Sequence, residues 1–129
     1  MSELLYRDES YRIVGACFEV YNQMGCGFLE AVYQECLMHE FSAAGIPFRA
    51  KVQLPVFYKG QRLDKYYEAD FICFEKIILE IKTAADLAPV HSAQAINYLN
   101  ATKLELAILV SFGSHPKLQY KRLAHSRPK

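Results

Sequence analysis

The chain lacks the devices that many small proteins use to hold themselves together or to leave the cell. Its four cysteines, Cys17, Cys26, Cys36 and Cys73, form no Cys-x-x-Cys pair, which argues against a zinc knuckle or a dithiol redox motif and for buried or semi-buried thiols. No apolar run approaches the length of a membrane span. The opening stretch MSELLYRDESYR carries Glu3, Asp8 and Glu9 and lacks the positive-then-apolar order of a secretion signal. The expected location is therefore the cytoplasm, with no membrane partner. No acidic residue follows Glu105. Repeats, linkers and low-complexity stretches are also missing.

What is present suffices for one domain. The 129 residues are 52% apolar and 22% charged, ordinary values for a globular chain, so residues 1–129 are read as a single unit. The net charge of +1 conceals an asymmetry. Residues 1–105 hold ten bases against 14 acids, net −4, while the last 24 residues hold Lys117, Lys121, Arg122, Arg127 and Lys129, net +5. This basic tail, from about residue 113, can contact phosphates. A solvated chain end explains it equally well.

Periodicity gives the order of elements. Ile13, Cys17, Val20 and Tyr21 predict a helix over Glu9–Met24, broken by Gly25-Cys26-Gly27. Leu29, Val32, Tyr33, Cys36 and Leu37 form the apolar stripe of a second helix over Leu29–Ala44, closed by Gly45-Ile46-Pro47. Val52, Leu54 and Val56 alternate in a strand over Phe48–Tyr58, where Pro55 implies an edge position or a bulge. Lys59-Gly60-Gln61 is a turn, Arg62–Phe74 a long second strand, Glu75-Lys76 a tight connection and Ile77–Lys82 a short apolar strand. After a loop, Pro89 opens a helix to Thr102, with Ala93, Ile96 and Leu99 as its packing side. Leu104–Phe112 reads as a central strand, and Leu118–Leu123 is available as a last one. The class is α/β with order ααβββαβ and a mixed sheet of about four strands. Ile77–Lys82, the helix and Leu104–Phe112 form a β-α-β crossover, which makes the two strands parallel.

The chemistry concentrates between Asp70 and Lys82. A hairpin around Glu75 sets Asp70 opposite Glu80, within one residue of register. Glu80 and Lys82 leave the same face of their strand. Facing carboxylates repel, and charges in apolar strands are costly unless paired. A bound Mg²⁺ or Mn²⁺ reverses the sign of that interaction, with Asp70, Glu80 and the Ile81 carbonyl as oxygen ligands. Lys82 is suited to positioning and charge stabilisation first and to general base catalysis second. A salt-bridged strand pair in which Lys82 neutralises Glu80 explains the same residues, since D-x9-E-x-K also arises by chance. Elsewhere, Glu30 and Tyr33 lie one turn apart on the second helix. Glu30 also suits the helix dipole, and Tyr33 also suits the core. His91, Gln94 and Tyr98 share a face of the third helix. There His91 is more simply a helix-start residue, while the three together suit the wall of a site.

Taken together, Gly27-x-x-Glu30-x-x-Tyr33, Asp70, Glu80-Ile81-Lys82 and Gln94-x-x-x-Tyr98 resemble the bacterial GxxExxY proteins of the PD-(D/E)XK nuclease superfamily, over about Tyr11 to Leu123. The resemblance implies a restriction-endonuclease-like core and a Mg²⁺ site built from Glu30, Asp70, Glu80 and Lys82. Gln94 and Tyr98 match the Q-x-x-x-Y helix of RecB-type exonuclease domains, which lies beside metal and DNA. The proline of the superfamily's name is absent, since Ala69 precedes Asp70. The expected function is metal-dependent cleavage of nucleic acid, DNA rather than RNA. The alternative is a catalytically inactive nuclease-fold module that binds nucleic acid or a protein partner. Fold analogy suggests a homodimer.

Overall fold

The computed structural model describes residues 4–124; Arg127 and Lys129 of the basic tail lie outside them. The elements are α1 (Arg7–Met24), α2 (Glu30–Ala44), β1 (Phe48–Tyr58), β2 (Gln61–Cys73), β3 (Ile77–Lys82), α3 (Pro89–Thr102), β4 (Leu106–Ser111) and β5 (Gln119–Ala124). The five strands form one mixed sheet in the order β1-β2-β3-β4-β5, so the final strand is formed. Strands β3 and β4 are parallel, in register from Ile77↔Leu106 to Lys82↔Ser111. The other neighbours are antiparallel. This is the α/β class with a mixed sheet expected from the element order, and it is consistent with the restriction-endonuclease-like core that the resemblance implies.

Helices cover both faces of the centre. On one face α1 and α2 pack Ile13, Cys17, Val20, Tyr33, Leu37 and Phe41 against Phe71, Leu79, Ile81 and Ile108. On the other, α3 packs Ala95, Tyr98 and Leu99 against Ala69, Ile78, Ala107 and Leu109. Double coverage explains why β3 and β4 are mostly apolar rather than alternating. It also isolates the one acid among them, Glu80, which is 3% exposed.

The ribbon of β1 and β2 extends beyond the sheet centre. Only Phe71, Ile72 and Cys73 of β2 pair with β3, while Gln61–Glu68 is exposed throughout. The ribbon also turns over. Phe48 and Ala50 pack toward α1 and α2, whereas Val52 and Leu54 pack toward α3. Between them Lys51 adopts φ 52°, a left-handed conformation that costs a non-glycine residue about 1–3 kcal/mol. Phe71 and Ala69 switch sides in the same way on β2, leaving Asp70 at the point of reversal. Nearer the tip the register shifts between Pro55 and Phe57, so Pro55 lies beside a bulge on an edge strand.

Several boundaries and faces differ from expectation. Helix α1 begins at Arg7 rather than Glu9, α2 at Glu30 rather than Leu29, β4 spans Leu106–Ser111 and β5 Gln119–Ala124. Leu29 is the extended N-cap of α2 and 77% exposed, so it does not join the apolar stripe. The β2–β3 connection contains no glycine although Phe74 and Glu75 both take positive φ, a conformation that favours glycine. Cys26 is exposed, unlike Cys17 and Cys73, and all four thiols are free. Ala93 is exposed, and α3 packs through Ala95, Tyr98 and Leu99. The polar-tipped face therefore lies toward the sheet, because Gln94 and Tyr98 meet the charged residues of β2 and β3. No helix is long and apolar enough to cross a membrane among the described residues.

Candidate active site at the β2–β3 split

Strands β2 and β3 part company after the Phe71↔Leu79 pair, and the backbone groups released there must find other partners. Side chains supply them. The Asp70 N–H donates to Glu80 Oε2 at 2.7 Å, and the Ile81 N–H donates to Asp70 Oδ2 at 2.8 Å. Each carboxylate thus caps the opposite strand, and both converge in the gap. The Asp70 carbonyl accepts a hydrogen bond from Gln34 Nε2 of α2 at 3.1 Å. The group of Ile81 that meets a carboxylate is its N–H.

Burial makes this arrangement electrostatically tense. Glu80 is pushed up to about 8, chiefly by burial and then by the charge of Asp70. Asp70 is raised to about 6, again chiefly by burial, with Glu30 adding to the rise. The backbone N–H bonds and the charge of Lys82 pull both values partway back. Among the described residues neither carboxylate has an ion-pair partner. The Lys82 ammonium donates instead to Gln94 Oε1 of α3 at 2.6 Å, so Lys82 does not neutralise Glu80 by direct contact. Tyr98, two turns into α3, is raised to about 12 by burial and by the charges of Glu80 and Asp70. Its hydroxyl stays protonated and available as a donor.

Asp70, Glu80, Lys82, Gln94 and Tyr98 are therefore drawn together at the split. Glu30 stands apart: it is exposed in the first turn of α2 and reaches both acids only through its charge. Its position is nevertheless fixed by the residues around it. Gly27 takes φ 107°, which favours glycine. Tyr33 then ties the turn, donating to the Gly25 carbonyl at 2.5 Å and accepting from the Phe28 N–H at 3.3 Å. Its ring is fully buried and stacks on Phe112 at 4.3 Å. The Gly-x-x-Glu-x-x-Tyr pattern is in this sense a brace that sets the start of α2. His91 accepts from the Ala88 N–H at 3.0 Å and caps α3, the simpler of its two expected roles.

The loop leaving β3 is fastened to the end of β4. Phe112 N–H donates to the Lys82 carbonyl at 2.8 Å, and the Ser111 and Ser114 hydroxyls bond the carbonyls of Ala84 and Ala85. A Cβ at Gly113 would collide with the Thr83 carbonyl, so only glycine permits this approach. These bonds hold Lys82 and the start of α3 in place.

Two residues at the site escape sequence reasoning. Gln34 carried a usable signal, being a polar residue one turn beyond Glu30 on the same helix face. Lys51 carried none, since nothing in its surroundings marks a left-handed kink. The donor set at the split, two uncompensated carboxylates, fits a hard divalent cation that keeps much of its water. No group of three or more His, Cys, Asp or Glu side chains is close enough to hold a metal among the described residues. A cation would rest on Asp70 and Glu80, with Glu30 too far out to join directly.

Comparison with known proteins agrees with this fold. No curated protein matches the chain. The solved crystal structure of SSO0001 is similar, with a TM-score of 0.60 at 19% identity, over 76% of this chain and 50% of that one. The likeness is one of fold, and this chain spans about half the length of that protein. The PD-(D/E)XK nuclease superfamily model matches residues 7–123, nearly the whole chain, and the chain belongs to that superfamily.

Proposed function

We propose that this chain is a single-domain GxxExxY protein that hydrolyses phosphodiester bonds, in DNA rather than RNA, with Mg²⁺ or Mn²⁺. The observation that carries the reading is the pair of carboxylates, Asp70 and Glu80, that meet at the strand split without an ion-pair partner among the described residues. Burying two such groups together is costly, and a divalent cation removes the cost. Asp70 and Glu80 would hold the ion, the Ile81 carbonyl would offer a third oxygen, and Glu30 would act through water. When bound, the metal supplies a readily ionised water and an electrophile for the phosphate.

The chain's own residues do the remainder. Lys82, held by Gln94, presents its ammonium to the negative charge that grows on the phosphate as the bond to water forms. The protonated Tyr98 hydroxyl donates to a phosphate oxygen. Gln94 orients Lys82 and thereby fixes the charge. Preference for DNA rests on the likeness of Gln94-x-x-x-Tyr98 to the helix of RecB-type domains. The free thiols suit a reducing compartment, which supports a cytoplasmic location.

The test is incubation of the purified protein with plasmid, linear and branched DNA in Mg²⁺ or Mn²⁺. Cleavage is expected, and Asp70→Ala and Lys82→Ala are expected to abolish it. Cleavage that survives both substitutions unchanged overturns the mechanism.

A second reading follows from the distance of Glu30. With two acids rather than three at the split, the chain would serve as a nuclease-fold module that binds nucleic acid without cutting it. The net −4 of residues 1–105 makes dimerisation or a protein partner the source of the missing basic surface. DNA binding without cleavage in any metal, together with no calorimetric Mn²⁺ binding, would select this reading.

A further inference from the structure

The ribbon tip and the outer side of α3 enclose a cleft of about 320 Å³, within the size range of small-ligand sites, roughly 300–1,000 Å³. Its walls include Phe57, Tyr67, Asn97, Asn100 and Lys103. Phe57 and Tyr67 are 59% and 37% exposed, which leaves two aromatic faces open to solvent. Asn97, Asn100 and Lys103 are exposed on the same cleft, and Lys103 has no ion-pair partner among the described residues. Aromatic faces stack on bases, carboxamides match base edges, and a lysine attracts phosphate.

We infer that this cleft binds an unpaired nucleobase of the nucleic acid that occupies the acidic site. The inference rests on the proposed function and adds a place for a nucleotide away from the bond that breaks. Continuity with the site supports it. The Tyr67 ring lies 5.0 Å from the ring of Tyr98, so the cleft opens beside the α3 residues that face Glu80. Tyr67 is three residues from Asp70 on β2, roughly 10 Å at strand spacing and about three stacked nucleotides. The outer ribbon carries Lys59, Arg62 and Lys65 against Asp64 and Glu68, a small positive excess suited to the backbone of the same strand. A duplex keeps its bases paired and stacked, so the cleft favours single-stranded or frayed substrate.

The test measures fluorescence anisotropy of a labelled 12-nucleotide single strand, with Ca²⁺ in place of Mg²⁺. The comparison probes are a matching duplex and a strand of abasic nucleotides. Wild type is expected to bind the base-bearing single strand at least several-fold tighter than either. Phe57→Ala, at an exposed position, is expected to weaken single-strand binding about 5- to 160-fold, the range that loss of a stacked base implies, and Asn100→Ala, which removes a hydrogen bond to a base edge, to weaken it by a smaller factor. They should leave the abasic strand unaffected. Equal binding of base-bearing and abasic strands, or wild-type affinity in Phe57→Ala, overturns the inference, as does failure to bind any of the three probes. Metal-dependent cleavage is scored separately. Cleavage with an unaffected Phe57→Ala removes the cleft alone, whereas base-dependent binding without cleavage removes the hydrolytic reading and leaves the cleft standing.

Discussion

Replacing Glu80 by glutamine should stabilise the metal-free protein, and the gain should grow with pH. Gln can still accept the Asp70 N–H bond through its amide oxygen, so the geometry survives while the charge is gone. Folding raises the Glu80 carboxyl from an ordinary 4.5 to about 8, and Asp70 to about 6. The folded chain therefore keeps protons that the unfolded chain gives up. Linkage makes stability fall as pH climbs from about 4 toward 8, because the native state binds the excess protons. Each pH unit is worth about 1.4 kcal/mol, which sets a ceiling of about 5 kcal/mol for Glu80. Water entry and strand relaxation reduce this to about 2–3 kcal/mol. For a chain of this size 1 kcal/mol moves Tm by about 3–4 °C.

Calorimetric scans of wild type and Glu80→Gln should thus nearly coincide at pH 5. At pH 8.5 the variant should melt about 6–12 °C higher. Saturating Mg²⁺ should raise wild type and leave Glu80→Gln close to its metal-free value. A difference that is independent of pH, or a variant that melts lower than wild type at pH 8.5, would refute the reasoning and point to a carboxylate that stabilises the fold.

Other expectations follow from single contacts. Tyr33→Phe removes the bonds to Gly25 and Phe28 and should cost about 1–2 kcal/mol, read as a lower urea midpoint at unchanged slope. Gln34→Leu leaves the Asp70 carbonyl without its partner; a loss of about 1–3 kcal/mol should accompany weaker Mn²⁺ binding by calorimetry. Gly113→Ala drives a methyl into the Thr83 carbonyl and should lower Tm by several degrees while displacing Lys82. A variant melting within a degree of wild type would contradict that close approach.

Much of the fold was legible because it rests on local patterns. The mostly apolar runs of β3 and β4, the proline that opens α3 and the helical repeat of Ile13, Cys17, Val20 and Tyr21 each marked an element correctly. The Asp70–Glu80 juxtaposition followed from counting residues around a hairpin. The reversal of the ribbon at Lys51 was hidden, because a left-handed lysine is imposed by tertiary packing and leaves no local mark. Of the expected packing side of α3, Leu99 and Ile96 do pack against the sheet while Ala93 is exposed, for a related reason. Apolarity favoured Ala93, but Tyr98 and Gln94 have partners on the sheet that periodicity does not register. The exposed Leu29 shows the opposite effect, since its place in the apolar stripe was overruled by its role as an extended cap. Gln34 lay in view but acquires meaning only when β2 leaves β3 and frees the Asp70 carbonyl.

The claim on which the rest depends is that Asp70 and Glu80 jointly hold one divalent cation. Titration calorimetry with Mn²⁺ near pH 7, in two buffers of different ionisation heat, addresses it directly. The account predicts one site in wild type, a heat that differs between the buffers because the raised carboxyls release protons on binding, and loss of binding in Asp70→Asn. Absence of Mn²⁺ binding, or equal binding in wild type and Asp70→Asn, would contradict it.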